Sequence, residues 1–332
     1  MSRSYFLPTM AVAATALLLT TSCASSLHKP DEKYYLVATN IKVPYWQTAL
    51  AGLGKASNEM KVKSELAGPD TYDPQAEGKE LERIIGLKPA GILVSAADPG
   101  VLTPAIDSAL AQGIPVLTLD SDAAQSKRLF FIGTDNHRAG VMGGEFVSKL
   151  MNNTGNVAIF TIKGQTNLDE RLQGYKEVFD THPQIKISQV IDMKGDPTAA
   201  FDAAKALTDK KANINAFICL EAIAGPEVAD VVNRAGLAGK INIIAMDTDQ
   251  RTLDFIKSGV ISATIGQKPF TMAYYGLKLL DELHHNKPTP LIADWAQNSF
   301  SHLPTFVDTG ASLIDKNNVA AFLQQSASPN GQ

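Results

Sequence analysis

From Tyr34 onward the chain alternates short apolar runs with longer stretches of helical period. Tyr34–Ala38 (YYLVA) reads as a strand. Tyr45–Met60 reads as a helix carrying Leu50, Leu53 and Ala56 at helical spacing, and Val62–Leu66 as a second strand. A helix over Asp73–Ile85, with Pro74 suited to its first turn, leads to a third strand at Gly91–Val94. A helix over Val101–Gln112 stops at Gly113 and leads to a strand at Pro115–Leu119, and Leu129–Ile132 is a short fifth strand. After Gly133 the pattern restarts. Helices are predicted over Arg138–Met151, Leu168–Phe179, Pro197–Thr208, Pro226–Arg234 and Asp249–Ser258. Strands are predicted at Val157–Thr161, Ile185–Ile191, Ala216–Leu220, Ile241–Met246 and Ser262–Ile265. On the first of these helices Gly140, Gly143 and Gly144 allow close packing. A long helix, Phe270–Leu283, and an extended piece, Pro304–Val307, precede a short tail.

Short strands alternating with helices mean parallel sheets and right-handed crossovers. The fold expected is α/β, with two similar doubly wound parallel-sheet lobes. The helix after Ile265 and the strand after it exceed what the second series needs, so the chain is expected to cross back and form a multi-strand hinge beside an interlobe cleft. The organisation predicted is residues 34–134 plus 267–303 for the first lobe and 135–266 plus 304–325 for the second.

Composition adds limits. The 332 residues carry a formal charge of −4 and are 45% hydrophobic, which suits a two-domain globular chain and offers no basic face for nucleic acid. Residues 1–22 differ from the rest: Arg3 precedes an apolar core, Met10–Leu19, too short for a spanning helix and right for an export signal. Small residues then lead to Cys23, as in a bacterial lipoprotein signal, although Thr20 stands where Leu is usual. Lipidation of Cys23 anchors the chain to a membrane; ordinary cleavage releases it soluble. Removing residues 1–22 takes away Arg3 and no acid, which moves the net charge to −5. Residues 23–33 are polar and small and read as a tether. The other cysteine, Cys219, lies in an apolar run and reads as a buried thiol outside any disulfide.

In open α/β sheets the ligand crevice lies beyond the carboxyl ends of the strands. The residues there are Thr39 and Asn40 with Tyr45 and Trp46; Asp120, Ser121 and Asp122; Gln165 to Arg171; Glu221; Asp247; and Gln267. Carboxylates, Arg and amides pair with hydroxyls in fork geometry, and aromatic faces cover the C–H side of a sugar ring. Plainer roles exist: Asp120 and Asp247 can cap turns or helices, Trp46 can be helix packing, and Arg171 a surface residue. The set has no nucleophile with its base. The six histidines show no metal spacing, GTDNHRAGVMGGE is not a phosphate loop, and G-x-S-x-G is missing, so neither an enzyme nor a cofactor is expected.

Five segments in order, YYLVATNIKVPYWQTALAG, GIPVLTLDSD, DERLQGY, NIIAMDTD and ATIGQKP, resemble the periplasmic sugar-binding proteins of the ribose-binding type, which serve ABC importers. The resemblance spans about Tyr34 to Val307. It implies a monomeric, exported periplasmic receptor that closes on a small sugar, sugar alcohol or related polyol and delivers it to an ABC permease. It makes Thr39, Tyr45 and Trp46 ligand contacts, Asp120 the first lobe's acceptor, Arg171 the second lobe's donor, and Asp247 and Gln267 the contacts near the hinge. Three departures argue against carrying over ribose. Val43 replaces Asn before the Pro, Ser121 replaces Arg, and Glu221-Ala222 replace Asn-Asp. Glu221 then needs a cationic partner, with Arg171, Lys163 or the ligand as candidates. Phe201 is the one aromatic in GDPTAAFD, the segment that should supply the second lobe's ring. The same fold serves sensory receptors of sugars or autoinducers. It also forms the core of lactose-repressor-type regulators, whose DNA-binding N-terminus is displaced here by the export signal.

Overall fold

The computed structural model of the protein describes residues 28–29, 31–298 and 300–326, so the export signal and Cys23 lie outside the described residues. The first series is β1 (Lys33–Val37), α1 (Pro44–Met60), β2 (Lys63–Ala67), α2 (Pro74–Gly86), β3 (Gly91–Val94), α3 (Pro99–Ala111), β4 (Val116–Leu119) and β5 (Phe131–Gly133). The second is α4 (Asn136–Leu150), β6 (Gly155–Thr161), α5 (Thr166–Asp180), β7 (Ile185–Asp192), α6 (Pro197–Asp209), β8 (Ala216–Cys219), α7 (Ala224–Arg234), β9 (Asn242–Met246), α8 (Gln250–Ser258) and β10 (Ala263–Gly266). The chain ends with α9 (Pro269–His285), β11 (Phe306–Asp308), β12 (Ser312–Asp315) and α10 (Val319–Ser326).

Local chemistry sets many of these ends. Asp73, Asp98, Asp135, Asp196 and Asp249 each accept from backbone N–H groups at the start of α2, α3, α4, α6 and α8. Proline occupies the first turn of α1, α2, α3, α6 and α9, where its missing donor costs nothing. Strands β3, β4, β8 and β10 are buried on every residue, as inner strands of a sheet covered by helices on both faces should be.

The two sheets have the strand orders β11-β5-β4-β3-β1-β2 and β12-β10-β9-β8-β6-β7. The first five strands of each series thus repeat one doubly wound order, and each lobe has its own core. The chain crosses between lobes at 133–136, 266–269 and 308–312, and α9 returns to pack on α1 and β3. The crossings are tied together. Thr309 donates from its backbone N–H to the Gly133 carbonyl at 2.7 Å, and Asp135 N–H donates to Asp308 Oδ1 at 3.2 Å.

The last crossing corrects the sequence-based division. Phe306–Asp308 pairs in parallel with Phe131–Gly133, so this piece completes the first sheet and not the second. The second sheet is completed instead by β12, antiparallel to β10, where only a tail was expected. Both strands are short, three and four residues, and β11 is mostly exposed, so neither carries a periodic apolar signal.

One close approach bears on the cleft. Gly140 on α4 faces α5, and a Cβ there would stand 2.1 Å from the Arg171 carbonyl oxygen. Replacing Gly140 with alanine therefore has to push α5 away, with a cost of at least about 2 kcal/mol. The expected result is a fall of roughly 5 °C in melting temperature. An unchanged melt shows that α4 slides aside freely.

Candidate ligand site

Parallel register brings the strand ends to one edge. Val37 pairs with Val94 and Val94 with Thr118, so Thr39, Ser95 and Asp120 emerge together from the first sheet. In the second sheet Phe160 pairs with Cys219 and Ile265 with Met246, so Glu221, Asp247 and Gln267 emerge facing them. Between the two edges lies a cavity of about 60 Å³. It is lined by Thr39, Asn40, Tyr45, Trp46, Asp120, Arg171, Glu221, Asp247 and Gln267, together with Val43, Tyr72, Ile162, Gln165, Asn167, Leu168, Ala222 and Ile223. A larger and more apolar space of about 260 Å³ shares Val43, Tyr45, Ala222, Ile223 and Asp247 with it.

The lobes are drawn together over this cavity. Asn167 Nδ2 of the second lobe donates to Asp120 Oδ2 of the first at 3.4 Å, and Thr166 Oγ1 donates to the Asp122 carbonyl at 3.0 Å. Tyr72 of the first lobe packs on the second lobe's core, beside Gly195.

Asp120 and Asp247 end the corresponding strands of the two sheets, β4 and β9, and both hold the left-handed backbone, with φ of +65° and +66°. That region is costly for a residue with a side chain, and such strain gathers where a fold must aim a group. Neither aspartate caps a helix. Asp120 Oδ1 accepts from the Tyr45 hydroxyl at 2.7 Å and Oδ2 from Ser95 Oγ at 3.1 Å. Asp247 Oδ1 accepts from Gln267 Nε2 at 3.1 Å, and the cap of α8 is supplied by Asp249 two residues on.

Ser121 does not line the cavity, contrary to expectation. The left-handed turn at Asp120 returns the Ser121 N–H to the Leu119 carbonyl at 2.7 Å, a γ-type turn, and the Ser121 carbonyl accepts from Ala96 N–H. Its side chain is fully buried in the first lobe. Asp122 turns away as well and forms a two-pronged ion pair with Arg128, both contacts at 2.5 Å.

Arg171 is 2% exposed and spans the second lobe's side of the cavity. Its Nε donates to Asn136 Oδ1 at 3.0 Å, Nη1 to the Leu220 carbonyl at 2.7 Å and Nη2 to Gln267 Oε1 at 2.8 Å, all neutral acceptors. Its charge therefore acts on the surrounding carboxylates at a distance. Glu221 does not ion-pair with Arg171 or Lys163. Its two oxygens accept from Ile223 and Ala224 N–H, each at 2.8 Å, so the start of α7 is the partner that it lacked in the sequence. On the aromatic wall, Trp46 Nε1 and Thr39 Oγ1 both donate to Asn40 Oδ1, and the Tyr45 and Trp46 rings meet edge to face at 5.1 Å. Phe201 is elsewhere: it packs on the second lobe's core under Arg234.

Burial raises all three carboxyl groups. Asp247 is pushed up to about 7, with Arg171 pulling it down and the like charge of Asp120 pushing it further up. Glu221 is also pushed up to about 7, against the pull of its two backbone N–H donors. Asp120 is raised by burial and lowered by Arg171 and by its hydroxyl donors.

Gln165 and Asn167, from the Gln165 to Arg171 segment, and Tyr72, which the sequence did not single out, complete the cavity. Asn167 stands in the strand-to-helix segment already noted, six residues beyond the end of the predicted strand at Thr161. Tyr72 carries no such signal, because it follows an edge strand and reaches across the cleft.

A sequence profile of the periplasmic binding protein domain matches residues 34–288. The chain belongs to the periplasmic binding protein family. Curated relatives include proteins named for D-allose, ribose and D-xylose. The D-allose-binding periplasmic protein of Escherichia coli is 27% identical over 286 residues, covering 83% of this chain and 90% of the relative. Among solved structures, the arabinose-binding protein AraP of Geobacillus stearothermophilus is 34% identical, with a TM-score of 0.72 over 88% of this chain and 99% of that one. An ABC transporter solute-binding protein of Burkholderia graminis, in complex with D-arabinose, is 26% identical, with a TM-score of 0.80 over 88% of this chain and 98% of that one. Among the described residues, no helix is long and apolar enough to cross a membrane.

Proposed function

We propose that this protein captures a small sugar, sugar alcohol or related polyol between its lobes by hinge closure and delivers it to the permease of an ABC importer. It does so as an exported monomer held at the membrane through a lipid on Cys23. The observation that carries the reading is one cavity ringed from both lobes by fork-shaped hydrogen-bonding groups and walled by Tyr45 and Trp46. Asp120 and Asp247 accept from neighbouring ring hydroxyls, Arg171 and Asn40 donate to ring and hydroxyl oxygens, and the aromatic pair covers the C–H edges. Asn167 and Thr166 reach across the cleft, so contacts that form on closure add to those made by the sugar.

Because ligand stabilises the folded state by mass action, a thermal-shift panel of pentoses, hexoses, polyols and amino sugars tests this directly. One class of neutral sugar or polyol is expected to raise the melting temperature by several degrees. A panel in which no member moves it removes the sugar reading.

A further inference from the structure

A second constellation lies at the other end of the first lobe, away from the cleft. The last turns of α9 set Asp281 and His285 four residues apart on one face, and the chain entering β1 lays His28 and Glu32 against them. His28 Nε2 stands 3.1 Å from Asp281 Oδ2, and His285 Nε2 stands 3.5 Å from Glu32 Oε2 and 3.6 Å from Asp281 Oδ1. One donor atom from each of the four residues lies within 4.8 Å of the other three. A tetrahedral zinc with bonds of 2.0–2.1 Å holds its donors about 3.3 Å apart; the His285–Glu32 and His28–Asp281 distances lie within a few tenths of an ångström of that, and the Asp281 carboxylate, which meets His28 with Oδ2 and His285 with Oδ1, has only to turn one oxygen toward the ion.

Burial gives the independent reason to expect a cation. Glu32 and Asp281 are each 7% exposed. Glu32 Oε2 and His285 Nε2 are both buried without a hydrogen-bond partner, although they face each other. A buried carboxylate oxygen without a donor is costly, and an ion bound between the two atoms satisfies both. The Tyr34 hydroxyl, itself fully buried, donates to Asp281 Oδ1 at 2.7 Å and fixes that carboxylate from behind, as outer partners of metal ligands do. Two carboxylates neutralise a dication, and two imidazoles favour a borderline metal over calcium or magnesium.

We propose that His28, Glu32, Asp281 and His285 bind one Zn²⁺ ion, which clasps the N-terminal tether to the end of α9. The site is independent of the sugar reading. It joins the segment that precedes the lobe to the lobe itself, and so fixes where the tether leaves the folded body.

The test uses the full-length protein, purified without a histidine tag, stripped with chelator, dialysed and titrated with zinc chloride. After gel filtration, elemental analysis is expected to find one zinc per chain. With free zinc about a hundredfold above its dissociation constant, the melting temperature is expected to rise by at least about 3 °C. X-ray absorption should show nitrogen and oxygen neighbours alone. His28→Gln and His285→Gln should each lose the retained zinc and the thermal rise, while His284→Gln, which changes the adjacent imidazole, keeps both. Because His28 lies in the tether, His28→Gln decides the matter even if His285→Gln fails to fold. Failure of the stripped protein to retain zinc overturns the site. So does unchanged uptake in His28→Gln, a sulfur neighbour in the absorption spectrum, or displacement of zinc by equimolar calcium or magnesium.

Discussion

Replacing Asp120 with asparagine weakens sugar binding at least tenfold, and replacing it with alanine weakens it by about a hundredfold or more. A hydrogen bond to a charged group contributes about 1.5–3 kcal/mol, and tenfold in affinity is 1.4 kcal/mol. Asp120 is buried, is held by Tyr45 and Ser95, and keeps acceptor capacity for the cavity. Asparagine tolerates the positive φ of this position, so it isolates the loss of charge. Alanine loses both oxygens and also bears the strain of the left-handed backbone. The free protein should remain folded in both, because burial already disfavours the charge that is removed. Arg171 is a poorer probe of the same cavity. Its removal strands Asn136, the Leu220 carbonyl and Gln267 inside the second lobe, so lost folding and lost binding cannot be separated. Calorimetry with the sugar that answers in the thermal-shift panel measures the effect, and unchanged affinity in both Asp120 variants removes Asp120 from the site.

The parts of this architecture legible in the sequence are those set by local pattern. Fully buried inner strands such as GILV and VLTL announce themselves as continuous apolar runs, and the helices between them carry their own Asp caps and Pro starts. The strand ends followed, and with them most of the cavity. What escaped depends on three-dimensional turns or on distant pairing. Ser121 follows Asp120 in the chain but points into the lobe, because a single left-handed residue reverses the direction between them. Glu221 looked short of a cation because the donors it uses are backbone N–H groups two and three residues ahead. Strand β11 has three residues and joins a sheet whose other members end about 170 residues earlier, and no local period records that pairing. The histidines were read for spacing along the chain, whereas His28 and His285 meet only when α9 returns to the first lobe.

Asp247 makes the stability of the ligand-free protein fall as pH rises. An ordinary aspartate loses its proton near 3.9, whereas Asp247 in the folded protein holds it to about 7. Below about pH 4 both states are protonated and the group contributes nothing. Between about pH 4 and 7 the unfolded chain has given up a proton that the folded chain keeps, so unfolding is favoured more with each step in pH, and the loss levels off above 7. Three units correspond to an upper value of about 4 kcal/mol, and relaxation of the cavity makes roughly 2 kcal/mol the working expectation. Asparagine at 247 has no proton to lose. The difference in stability between Asp247→Asn and the original protein should therefore be near zero at pH 4 and largest above pH 7.5; Glu221, which the Asp247 charge helps to raise, keeps its proton less tightly in the variant and so adds to the difference in the same direction. Sugar reverses the effect, because hydroxyls donating to Asp247 favour its charged form. The rise in melting temperature caused by sugar should be greater at pH 8 than at pH 5.5 in the original protein and flat in the variant. Denaturant melts and thermal shifts across this range measure both quantities. A stability difference that does not change with pH shows that Asp247 is already ionised and solvated in the free cleft, and then the strained turn that buries it needs a reason other than the sugar.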